Sequence, residues 1–69
     1  MQNRIREIRK AKGLTQHQLA FLFHEPLHPT VISRWERGVS SPSSENLFEL
    51  ARILEVKPDE LFIETDSQS

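Results

Sequence analysis

The chain reads as an all-α protein, a compact bundle of five short helices, on three observations. Apolar residues recur at helical spacing along nearly all of the 69 residues, and no segment alternates as a strand would. Gly13, Pro26, Pro29, Gly38, Pro42 and Pro58 cut the chain into helix-length pieces. Thr15, a good N-cap, stands just before one of those pieces, and Pro42 and Ser43 stand just before another. A chain this short buries only about 60% of its unfolded surface, so a deep substrate cavity is not expected. With no cysteine, neither a disulfide nor a thiolate zinc site can hold it together.

The first helix is expected over residues 3–12, with Ile5 and Ile8 inward, and Gly13 to stop it. Thr15 then caps the second helix, 16–23, and Gln18 can close a capping box; Leu19, Ala20 and Phe23 face the core. The third helix runs 29–37. His28 sits at its N-cap, Pro29 at the first helical position, and Gly38 at its stop. A fourth helix follows Pro42 and Ser43 to Leu54, burying Leu47, Leu50, Ala51 and Leu54. A fifth, 58–63, buries Leu61 and Phe62. One domain is therefore expected over 1–63, with a polar, frayed tail over 64–69.

The net charge of −1 hides a division. Residues 1–38 carry seven Lys/Arg against three Glu, or +4, whereas 39–69 carry two against seven acids, or −5. Such asymmetry fits a protein whose one end meets a polyanion, and equally an ordinary surface whose charges segregate. No apolar run reaches membrane-span length and the first ten residues lack a signal peptide's apolar stretch, so the expectation is a cytoplasmic protein with no membrane partner. His17, His24 and His28 could suggest metal ligands, but Pro26 lies between the last two and no cysteine accompanies them. No nucleophile–base set or phosphate-cradling glycine loop is visible. Neither catalysis, a metal nor a cofactor is expected.

The third helix has two faces. Ile32 and Trp35, with Val31 beside them, form an apolar stripe, and Thr30, Ser33, Arg34 and Arg37 share the other side. Hydroxyls, a threonine methyl and arginine suit phosphates and base edges of duplex DNA. The pattern alone also fits any polar outer face of a small bundle.

Taken in order, RIREIRKAKGLTQHQLA, VISRWERG and SPSSENLFELARILEVKPDELF resemble the XRE-type helix-turn-helix domain of the lambda repressor and Cro superfamily over residues 4 to 62. Each piece is weak alone; the ordered set is specific. The resemblance implies a lambda-repressor-like bundle whose helices 2 and 3 form the helix-turn-helix, acting as a sequence-specific DNA-binding transcriptional regulator. By position it implies base contacts from Pro29, Thr30, Ser33 and Arg34, and contacts to the DNA backbone from Thr15, Gln16, Arg37 and Gly38. It also implies an Arg9–Glu36 ion pair. That pair makes independent sense, because Glu36 adjoins apolar Trp35 and needs a partner. A unit this small reads few base pairs, so a homodimer on a palindrome is expected, joined through Leu54, Val56, Phe62 and Ile63.

The sequence departs from the family in three places. The turn between helices 2 and 3 is two residues longer than usual, and His24-Glu25-Pro26-Leu27-His28 replaces the common glycine. Leu27 and this turn are expected to cover Phe21 and Leu22, with an exposed patch for a partner as the alternative. Val39-Ser40-Ser41 lacks the family's frequent cations, which predicts modest affinity and a shallow salt dependence. Lys57 is a weak start to the fifth helix. The neutral 39–41 segment and acidic C-terminal half keep a second reading open, an antitoxin-like interaction module that binds DNA weakly. Arg34, Arg37 and the basic first helix argue against it.

Overall fold

The computed structural model describes residues 3–62, and in them four α-helices and a 3-10 turn follow one another: α1 (Ile5–Ala11), α2 (Gln16–Phe21), α3 (Pro29–Arg37), α4 (Ser44–Leu54) and the turn Pro58–Leu61. Ile63 and the tail expected over 64–69 lie outside the described residues. The boundaries follow from local chemistry. Thr15 Oγ1 accepts the Gln18 N–H at 3.0 Å while Gln18 Oε1 accepts the Thr15 N–H at 2.8 Å, so both halves of the capping box are made. Ser43 Oγ accepts from the Asn46 amide at 3.2 Å and opens α4 in the same manner.

Three expected elements come out shorter. The first helix begins at Ile5 because Asn3 is otherwise engaged: its backbone forms an antiparallel bridge with Phe62, and its side-chain oxygen accepts the Ile5 N–H. The second ends at Phe21, and the chain then bends toward Pro26 and leaves Phe23 buried outside the helix. The fifth α-helix is instead a single 3-10 turn. Lys57 has no acceptor to offer its N-terminus, and Phe62 is already extended (φ −122°, ψ 148°) to meet Asn3. Only four residues remain to coil, too few to establish an α-helix.

The core gathers Ile5, Leu19, Ala20, Phe23, Ile32, Trp35, Leu50, Ala51, Leu54 and Leu61, drawn from every element. Phe23 and Trp35 pack with ring centroids 5.9 Å apart and planes tilted by 60°, a favoured aromatic geometry. Leu54 takes the core place expected of it in α4, which corrects its expected place in the surface joining two copies. It is wholly buried within one chain and cannot form a surface that joins two copies. Val56 and Phe62 are half-buried. Phe21 and Leu22 correct another, since they stand 68% and 52% exposed. Leu27 turns inward instead, packing against the core while its N–H bonds the Ala20 carbonyl at 3.0 Å. The lengthened turn fills its own underside rather than covering α2.

Candidate nucleic-acid interface

α3 is defined at both ends. Pro29 supplies no amide hydrogen, His28 Nδ1 accepts the Thr30 N–H at 3.1 Å, and the His28 carbonyl accepts from Val31 at 2.9 Å. At the other end Gly38 takes the left-handed conformation (φ 76°, ψ 12°), which glycine adopts without a Cβ penalty. Ile32 and Trp35 are buried, and Thr30, Arg34 and Arg37 are exposed. Pro29 and Ser33 are half-buried. The outer face thus carries hydroxyls near the N-terminus and two guanidinium groups toward the C-terminus. Arg37 Nε donates to Ser33 Oγ at 3.2 Å, one turn apart.

Glu36 lies between those arginines in sequence but is turned into the protein. Its carboxylate accepts Arg9 Nε at 2.6 Å and Arg9 Nη2 at 3.2 Å, a bidentate pair whose side chains are 8% (Arg9) and 4% (Glu36) exposed. Arg9 Nη1 donates to the Leu14 carbonyl at 2.8 Å, so all three guanidinium nitrogens are used. Gln16 Nε2 adds a third donor to Glu36, at 3.1 Å. Two consequences follow for α3. The network ties it to α1 and to the start of α2 through directional bonds, and it withdraws the helix's only carboxylate from the outer face. Among the described residues neither Arg34 nor Arg37 is paired with a carboxylate. Their charges remain available to a polyanion.

A second tie holds the C-terminal end of α3. Asn3 Nδ2 donates to the Trp35 carbonyl at 2.8 Å while Asn3 Oδ1 holds the first amide of α1 at 3.1 Å. No pattern in the sequence points to this contact, because its acceptor is a backbone carbonyl that every residue carries. The Gln16–Glu36 bond is likewise absent from the pattern, although Gln16 itself stands out at the start of α2. On the far side of the bundle, the His24 amide donates to the Glu49 carboxylate and anchors the lengthened turn to α4. Among the described residues no group of His, Asp and Glu side chains has the arrangement of a metal site.

Residues 5–61 match the helix-turn-helix family. No curated protein matches the chain. Among solved structures, it is similar to the crystal structure of the restriction-modification controller protein C.AhdI from Aeromonas hydrophila, with 44% sequence identity, 86% of each chain covered and a TM-score of 0.75. A capped helix with an exposed basic face, packed on α2 and α1, is the arrangement such a family uses on DNA. The chain belongs to the XRE-type helix-turn-helix family of DNA-binding transcriptional regulators, which are not enzymes.

Proposed function

We propose that α3 enters the major groove of DNA and reads base edges with Pro29, Thr30, Ser33 and Arg34, while Thr15, Gln16, Arg37 and Gly38 lie along the backbone. The observation that carries this reading is the outer face of α3, whose unpaired Arg34 and Arg37 are kept free of Glu36 by the Arg9 network. Arg34 can grip a guanine through two parallel hydrogen bonds. Gln16 must exchange its bond to Glu36 for one to a phosphate, and Arg9 satisfies Glu36 while it does so.

The active species is a homodimer on a palindrome, its two reading helices about 34 Å apart. Half-buried Val56 and Phe62 supply the joining surface. Leu54 supports that surface from within. By its likeness to C.AhdI, the protein controls transcription of restriction-modification genes, and so works in the cytoplasm. Among the described residues no helix is long and apolar enough to cross a membrane. Selection from random oligonucleotides with the purified protein tests the whole reading. A palindromic enriched motif, protected as two half-sites, is expected. Enrichment of no sequence, or of an asymmetric half-site bound by one chain, overturns specificity or dimerisation respectively.

A further inference from the structure

Three helices in this protein are capped by a side chain, and one cap differs in kind. Thr15 and Ser43 cap α2 and α4 with a hydroxyl, whose one oxygen both accepts the amide and carries its own hydrogen, beside the capped helix end. His28 caps α3 with Nδ1 of an imidazole, which has a second nitrogen on the far side of the ring. A ring that accepts at Nδ1 carries no hydrogen there, so its one hydrogen is on Nε2. The cap therefore fixes the tautomer. It leaves an N–H donor directed away from the Thr30 amide, on an exposed residue.

The first three helical positions after it have no free amide to offer. Pro29 has no N–H, the Thr30 N–H is held by the ring, and the Val31 N–H is held by the His28 carbonyl. A helix that enters a groove N-terminus first ordinarily brings free amides to the DNA. Here the first three helical positions have none, which leaves side-chain donors at that end, His28 Nε2–H and the Thr30 hydroxyl.

We infer that His28 is a DNA-contacting residue: its Nδ1 caps the reading helix while its Nε2–H donates to an acceptor oxygen or nitrogen of the duplex at the helix's leading end. This rests on the reading of α3 as the helix in the groove. The contact comes from a neutral ring, so it adds affinity and register without adding a cation. The same side chain thus couples the order of the helix's first turn to its contact with DNA.

The test compares wild type with His28→Ser and His28→Asn on the selected site, by fluorescence anisotropy across a salt series. Both replacements keep an acceptor within reach of the Thr30 amide; serine carries no group out to the position of Nε2, and the Nδ2 of asparagine stops short of it. Each is expected to weaken specific binding about 3–10-fold, the worth of one neutral hydrogen bond. Helix content and Tm stay near wild type, and the salt slope stays unchanged. A uniform loss across altered sites assigns the acceptor to a phosphate; a loss that disappears when one base pair is changed assigns it to a base edge.

Unchanged affinity in a folded variant overturns the inference. So does a slope shallower by about one phosphate contact, which marks a charged ring that cannot cap. Ring nitrogen chemical shifts of the wild-type protein read the tautomer without any variant, and hydrogen on Nδ1 also overturns it. Arg34→Ala separates the two levels of the argument. If that change leaves binding intact, the reading helix itself is misassigned and this inference falls with it. If it weakens binding while the His28 variants do not, this inference alone fails.

Discussion

The two halves of the molecule are held by different forces. Around α1, α2 and α3 the ties are directional: Arg9 to Glu36 and Leu14, Gln16 to Glu36, and Asn3 to Trp35. Around α4 and the 3-10 turn burial of Leu50, Ala51, Leu54 and Leu61 dominates, with the His24–Glu49 bond, the Asn3–Phe62 bridge and the surface pair of Lys12 and Glu55 at its margins. Apolar packing stabilises without fixing direction, whereas a bidentate ion pair fixes both distance and angle. The helix whose outer face must meet DNA at a set orientation is the one given directional bonds. The half that only has to support it relies on burial.

The sharpest way to break this comparison is Glu36→Ala, which strands the buried guanidinium of Arg9. It is expected to destabilise folding by about 3–5 kcal/mol in urea titrations. A double replacement, Arg9→Met with Glu36→Met, removes both charges. If the pair's value is direction rather than energy, the double variant recovers most of that stability but not the specific DNA affinity. Recovery of both would make the two halves equivalent after all.

Arg34→Ala comes next. It should cost about 1–3 kcal/mol of specific binding and relax discrimination at one base pair, with Tm unchanged. Footprinting and anisotropy on singly altered sites provide the check. An unchanged footprint argues against the proposed reading face. Asn3→Ala removes one bond to the end of α3 and one to the start of α1, so a loss of about 1–2 kcal/mol in stability is expected. Amide exchange in the last turn of α3 should speed up more than in α4, to which Asn3 makes no hydrogen bond.

The smallest effect belongs to the apolar half's charged pair. The hydrogen bond from Lys12, and then its charge, hold the Glu55 carboxyl below its ordinary value of 4.5. A carboxyl lowered on folding stabilises above its unfolded value and loses that contribution as pH falls through the folded one. Thermal melts of wild type and Lys12→Met should therefore differ by a constant, small amount above about pH 5, and converge in more acidic solution. Both groups face solvent, so added salt should shrink the difference as well. A difference that persists in strong acid would show that Lys12 acts through its methylenes.

Legibility followed the range of the interaction that decides each feature. The cap of α2, the start of α4, the start and stop of α3, and the inward Ile32 and Trp35 were readable because turn chemistry and helical spacing act within a few residues. Arg9 and Glu36 could be paired because a carboxylate beside a tryptophan has few ways to be satisfied. By contrast, the exposure of Phe21 and Leu22 depends on where Leu27 turns, and the shortened end at Pro58–Leu61 depends on Asn3, nearly the whole chain away. Glu55 is a case between these. It ends α4 in the left-handed conformation (φ 61°) that glycine provides at Gly38, and nothing in its neighbours in sequence marks it.

By itself, then, the sequence determined the helical class, the order of the elements, the core faces of α1 to α4 and the polar face of α3. All of these rest on local periodicity and capping. Tertiary structure alone decided that Phe21 and Leu22 stand exposed, that Gln16 joins the Glu36 network and that Asn3 holds the end of α3. The reason is physical. Hydrogen-bond partners such as a backbone carbonyl are anonymous in sequence, and burial is a property of what the rest of the chain places on top.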